Sequence, residues 1–145
     1  MSQIKTIGII GTGVIGTGWI IRNLAHNKIV HAYDKNKNFK IEVLKEINRT
    51  SKNVENLFKK KILIKNLKFF NSLEKALVNV DFVQESVLEN YKVKTDLIKK
   101  ISKFTKKDVV IASSSSGLLP TKVYSKCKNS ERGLIGHPFN QVYLL

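Results

Sequence analysis

IKTIGIIGTGVIGTGWIIRNLAHNKIVHAYD, residues 4–34, switches its apolar spacing twice within one short span. Ile4 to Ile10, I-K-T-I-G-I-I, reads as a buried strand, and Gly11 to Gly18 supplies a glycine-rich turn. From Trp19 to Ala25 the apolar residues recur at helical spacing and then fade at His26, Asn27 and Lys28. Ile29 to Tyr33 is a second strand, ending at Asp34. Strand, helix and strand within about thirty residues make one βαβ crossover, so the two strands should lie parallel.

The same alternation continues outward. Asn38 to about Lys61 places Ile41, Leu44, Ile47, Val54, Leu57 and Phe58 mostly on one face of a helix or helix pair. Leu67 to Phe70 is a third strand, and Ser72 is placed as the N-cap of a short helix through Ala76 and Leu77. Asp81 to Glu85 is a fourth strand, Lys92 to Phe104 a helix, and Val109 to Ala112 a fifth strand. A short helix around Thr121 to Ser125 leads to a last strand at Gly133 to Gly136. Strands alternating with helices predict an α/β domain, a doubly wound and mostly parallel sheet covered on both faces. At 145 residues one domain spanning 1–145 is expected.

Composition narrows the partners. No apolar run approaches the length that crosses a bilayer, and Met1 to Lys5 leads directly into a strand without a targeting pattern, which predicts an untargeted cytoplasmic chain with no membrane partner. Cys127 is the single cysteine, and no metal-ligand spacing surrounds it, so neither a disulfide nor a metal site is expected. The net charge of +15 suggests polyanions, but the basic residues are lysines apart from Arg22, Arg49 and Arg132, with no basic stripe interleaved with aromatics. Nucleic acid is therefore not expected as a partner. A positive field would still draw in small anionic ligands.

Gly11-Thr12-Gly13-Val14-Ile15-Gly16 fits G-x-G-x-x-G, a weak signal alone. Here it follows a strand and opens a helix, and Asp34 stands 18 residues after Gly16 at the end of the next strand. The physics requires each glycine, since Gly11 makes the tight turn, Gly13 lets the backbone approach a pyrophosphate, and Gly16 packs helix on strand. Free amides at the helix start suit the phosphates, and Asp34 suits ribose hydroxyls while repelling a 2′-phosphate. The expected cofactor is NAD rather than NADP, a preference softened by Lys35 and Lys37. Ligands of such sheets sit beyond the carboxyl ends of the strands, where Glu85, Ser113 to Ser116, and His137 with Asn140 also fall. His137 can serve as the base that alcohol oxidation needs. His26 and His31 lie towards strand starts and read as structural.

Four segments, the glycine turn, DFVQESVLEN from Asp81 to Asn90, IASSSSGLLP from Ile111 to Pro120 and GHPFNQVYLL from Gly136 to Leu145, together resemble the 3-hydroxyacyl-CoA dehydrogenase family. The resemblance runs the full length of the chain, and Ser116 to Pro120 with His137 to Asn140 incline it towards the family's carnitine branch. It implies that Asp34 binds ribose, that Glu85 and Asn90 lie near the nicotinamide half of the cofactor, that Ser116 and Asn140 touch the substrate oxygen and the cofactor, and that His137 is the catalytic base. The implied reaction oxidises the 3-hydroxyl of L-carnitine to 3-dehydrocarnitine, with a 3-hydroxyacyl-CoA or another 3-hydroxy acid as the alternative substrate. Gln141 stands where the family usually has proline, which implies a less rigid loop behind His137. The family's glutamate partner of the histidine and its helical, dimer-forming second domain would fall beyond Leu145. The resemblance thus implies a truncated NAD-binding domain with little turnover alone, an exposed apolar surface, and a homodimer for the full-length form. A naturally short, non-catalytic NAD-binding module is the rival from another class. It predicts a polar final segment, whereas Tyr143-Leu144-Leu145 is apolar.

Overall fold

The computed structural model describes residues 4–144. Met1–Gln3, the lead-in to the first strand, and Leu145, part of the apolar end, lie outside the described residues. Strands and helices alternate: β1 (Thr6–Ile10), α1 (Val14–Ala25), β2 (Ile29–Tyr33), α2 (Phe39–Phe58), β3 (Leu67–Phe69), α3 (Leu73–Ala76), β4 (Phe82–Glu85), α4 (Tyr91–Phe104), β5 (Val110–Ser113), α5 (Pro120–Val123) and β6 (Gly133–Ile135). The sheet order is β3-β2-β1-β4-β5-β6, and every pairing is parallel. This is the Rossmann-type, doubly wound order, and the direction of winding reverses between β1 and β4.

Two cores hold the layers. Ile7 and Ile9 of β1 point to one face and pack with Ile20, Ile21 and Leu24 of α1 and Val43, Ile47 and Val54 of α2. Ile10, Val83 and Ile111 point to the other and pack with Ile98 and Ile101 of α4 and Val123 of α5. Central strands buried on both faces explain apolar runs that do not alternate. Among the described residues no helix is long and apolar enough to cross a membrane.

Several boundaries differ from the sequence reading for identifiable reasons. The first strand begins at Thr6 rather than Ile4, because the Asp81 carboxylate accepts the backbone N–H of Lys5 at 2.9 Å and of Thr6 at 2.8 Å. Those bonds hold the Asp81 carboxyl below the usual aspartate range. A lowered folded value means that the contact stabilises the fold fully above the unfolded pKa and fades as pH falls through the folded one. Asp81→Asn should therefore lower the urea midpoint at neutral pH and flatten its pH dependence below about pH 4, so that variant and wild type converge in acid. An identical acid limb in the variant would refute this.

The possible helix pair after Asn38 is one continuous helix, closed by Lys59 at φ 53°. Ser72 occupies the N-cap position of α3, but its side chain makes no capping bond. That helix is held by buried Ala76 and Leu77 instead. Asn90 does cap α4, its side chain accepting from Val93 N–H at 3.1 Å. Arg132 is buried and donates to the carbonyl oxygens of Ser102, Lys106 and Lys128, tying the end of α4 to the start of β6. The apolar segment Val142–Leu144 folds back on α1, where a Cβ on Gly18 would lie 2.9 Å from that of Val142.

Candidate functional site

The site begins where β1 ends. Gly11 has φ +89°, a left-handed conformation, and a Cβ there would press on the Ser86 backbone at 2.7 Å. Its N–H donates to Tyr33 O at 2.9 Å, joining the turn to the end of β2. A Cβ on Gly16 would collide with the Gly11 carbonyl oxygen, so only glycine allows α1 to start this close to the strand. Gly13 is different: nothing lies within 4 Å of its Cβ position. It opens the start of α1, where the N–H groups of the first turn have no carbonyl partner within the helix and no acidic side chain stands in that turn.

Asp34 is built into this turn. Its Oδ2 accepts from Thr12 N–H at 2.7 Å and lies 3.2 Å from Thr12 Oγ1, while Oδ1 accepts from Asn36 N–H at 2.9 Å. Thr12 is buried, and its carbonyl accepts from Thr17 Oγ1 at 2.8 Å. Thr12 therefore ties the loop to the carboxylate rather than facing solvent. A cleft of about 850 Å³ runs past Gly13 and Asp34 to Leu73, Val87 and Leu97, with Lys35, Lys100 and Lys103 at its wall. Among the described residues the arrangement fits an anionic dinucleotide: open amides for a pyrophosphate, a carboxylate for ribose hydroxyls, and an apolar cleft for a base.

Glu85 is at the carboxyl end of β4, as the sequence suggested, yet it is fully buried. Oε1 accepts from Lys94 Nζ at 2.8 Å and from Val87 N–H at 2.6 Å; Oε2 accepts from Ser113 Oγ at 2.5 Å. The β4 and β5 register, which pairs Glu85 with Ser113, points both at α4. Glu85 therefore braces the floor under the loops instead of presenting itself to a ligand. Asn90 is exposed, with its oxygen engaged as the α4 cap. Lys94, buried with Glu85, was missed by the sequence reading. Its signal was present, since Lys94 falls on the inward stripe of α4 with Thr95, Ile98, Ile101 and Ser102.

Of the serine run, Ser113 and Ser115 are buried and Ser116 is exposed. Beyond β6, Gly136 N–H donates to Ser113 O at 2.8 Å, and His137 and Asn140 follow on an exposed loop at the same edge. Ser116, His137 and Asn140 do not line the cleft around Asp34, which separates them from the ribose end. Gln141 has φ +63°, which a proline cannot adopt, so its departure from the family pattern comes with a different local backbone. Val14, Leu88, Leu119 and Phe139 are exposed apolar side chains that follow β1, β4, β5 and β6. His31 is buried in β2, its Nδ1 3.0 Å from the Ala76 carbonyl oxygen, a contact that requires the proton on Nδ1 and agrees with a structural role.

L-carnitine dehydrogenase of Pseudomonas putida is 40% identical over 150 residues, covering 100% of this chain and 46% of that protein. The enzyme of the same name from Oceanobacillus iheyensis is 40% identical over 142 residues, covering 97% and 46%. The chain thus spans about half the length of the curated relatives it matches. Among solved structures, a diketoreductase superposes with a TM-score of 0.89 at 23% identity over 99% of this chain and 53% of its own. The 3-hydroxybutyryl-CoA dehydrogenase of Escherichia coli K12 superposes at 0.86 and 22% identity over 97% and 31%. At such identities these structures speak for the fold alone. The family described as "3-hydroxyacyl-CoA dehydrogenase, NAD binding domain" matches residues 6–145, nearly the whole chain, and the chain belongs to that family.

Proposed function

We propose that this chain is the NAD-binding domain of an L-carnitine dehydrogenase that converts the 3-hydroxyl of L-carnitine to the ketone of 3-dehydrocarnitine. The observation that carries the reading is 40% identity along the chain to proteins of that name. The open amides after Gly13 would hold the pyrophosphate, Asp34 the ribose, and Leu73, Val87 and Leu97 the adenine. NAD held there would supply the hydride acceptor for oxidation at the carbinol carbon. His137 takes the hydroxyl proton, and Ser116 and Asn140 steady the oxygen as it becomes a carbonyl. Asn90 would lie on the side of the cofactor's far half, and Glu85 would act there indirectly, by bracing Ser113 and the backbone at Val87. The whole protein is read as a cytoplasmic homodimer acting on a small molecule, without nucleic-acid or membrane partners.

A second substrate reading, a 3-hydroxyacyl-CoA, is favoured by the family's own description. Carnitine's trimethylammonium group calls for aromatic or acidic surroundings, whereas a CoA ester calls for cationic ones. NADH formation by the whole protein with L-carnitine against 3-hydroxybutyryl-CoA separates them. Turnover with carnitine supports the first reading, and turnover with the CoA ester alone transfers the assignment to the second.

The glycine turn allows a test with the 145-residue chain itself. Gly13 has φ −64° and open space, so Gly13→Ala should fold, with the chain-entropy gain offset by a poorer N-cap and a Tm within a few degrees of the parent. It should still bind NADH about tenfold or more weakly, because the methyl occupies the space of a pyrophosphate worth about 1.4 kcal/mol or more. Gly16→Ala should lower Tm and affinity together. NADH fluorescence titration decides, and an unimpaired Gly13→Ala would remove the pyrophosphate from this loop.

A further inference from the structure

Glu89 has no part in the chemistry above, yet three donors of the serine loop converge on one of its oxygens. Oε1 accepts from Ser115 Oγ at 2.6 Å, from Ser116 N–H at 2.8 Å and from Gly117 N–H at 3.2 Å. Its other oxygen lies 3.5 Å from Lys94 Nζ, and the same ammonium donates to Glu85 and to the Val87 carbonyl. Successive backbone N–H groups wrapped around one anion form a nest, and charged acceptors make the stronger hydrogen bonds. Burial pushes the Glu89 carboxyl up, but the bonds from Ser115, Gly117 and Ser116 and the Lys94 charge outweigh it and hold the group below the usual carboxylate range.

The loop is anchored at both ends, by Ser114 Oγ bonded to Gln84 and Ser86 and by Leu119 N–H donating to Tyr91 Oη, but its tip is not. Ser116 and Gly117 are exposed, and nothing lies within 4 Å of a Cβ placed on Gly117. Without the carboxylate, an exposed Ser116–Gly117 tip would sample many backbone conformations. We propose that Glu89 is a positioning residue: by closing the Ser115–Gly117 turn around its carboxylate it fixes Ser116 at the carboxyl end of β5, and Lys94 joins that turn to the Glu85 brace under β4. This rests on the reading of Ser116 as a group that meets substrate.

Amide NMR and hydrogen exchange on the ¹⁵N-labelled 145-residue chain test it without turnover. Between about pH 7 and pH 3 the Ser116 and Gly117 amide resonances should titrate together, with a midpoint below the usual glutamate value. In Glu89→Gln that titration should vanish, and these two amides should exchange at least tenfold faster while β1 and β4 keep their protection. Glu89→Asp, which keeps the charge, should keep a titration at the same amides. Unchanged titration in Glu89→Gln would overturn the proposal, as would loss of protection spread evenly over the sheet. Should Glu89→Gln fail to fold, a flat wild-type profile at Ser116 and Gly117 overturns it by itself. The underlying reading fails separately: Ser116→Ala removes the hydroxyl and leaves both backbone bonds to Glu89, so unimpaired turnover in the whole protein with the Glu89 signature intact would discard the role of Ser116 alone.

Discussion

Lys94→Met should cost about 3–5 kcal/mol of folding stability, because it strands the Glu85 carboxylate in a site from which water is excluded. The pair is 2.8 Å apart, with the side chains 1% and 0% exposed. Methionine nearly matches the lysine stem in volume, so the loss reflects charge rather than a cavity. Ser113 Oγ and Val87 N–H remain as partners of Glu85, which places the expected loss towards the lower end of that range. Domains of this size hold only about 5–15 kcal/mol in total, so the urea midpoint should drop well outside experimental error. Adding Glu85→Gln should recover most of it, since the amide oxygen can still accept from Ser113 or Val87 and no charge stays buried. A loss below about 1 kcal/mol, or a double variant no more stable than the single one, would mean that the pair does not brace the fold.

The contrast between this pair and the glycine turn shows what a sequence exposes. Gly11, Gly13 and Gly16 act through backbone geometry local to one turn, and their spacing against Asp34 is set by the length of a single crossover. Strand β2 was legible for the same reason: Ile29–Tyr33 runs from a left-handed Asn27 to a polar aspartate. Glu85 was read as a ligand contact because it stands at a strand end. Its partner lies nine positions on, across a loop and on a helix, and no periodicity links the two. What could have corrected the reading is the pattern on α4, where a lysine on an inward stripe demands a buried acid. Glu89 was harder, since its partners Ser115, Ser116 and Gly117 follow the next strand and meet it only once β4 and β5 pair. Strand edges and caps moved by a residue or two where a side chain intervened, as Asp81 does before β1.

His137→Gln in the whole protein should lower kcat about a hundred- to ten-thousand-fold, the range typical of removing a general base. Glutamine keeps a polar side chain of similar reach and removes only the ability to take the proton. Because His137 is exposed on the loop after β6 and does not line the cleft that holds Asp34, NADH affinity should stay within about twofold of wild type, a change of no more than about 0.4 kcal/mol. Stability should also hold, since no side-chain bond of His137 is among the hydrogen bonds that tie β6 to β5. Loss of turnover with cofactor binding and folding preserved is the signature of a group acting on the reacting hydroxyl. His26→Gln is the matched control: His26 ends α1 and packs edge-on against Phe58, at the opposite end of α1 from the glycine turn, so kcat should not change. If His137→Gln loses less than tenfold, the base is another residue of the whole protein, and Ser116 and Asn140 would have to be reassigned with it. If it loses NADH affinity in proportion to kcat, the loop after β6 belongs to the cofactor site rather than to proton transfer.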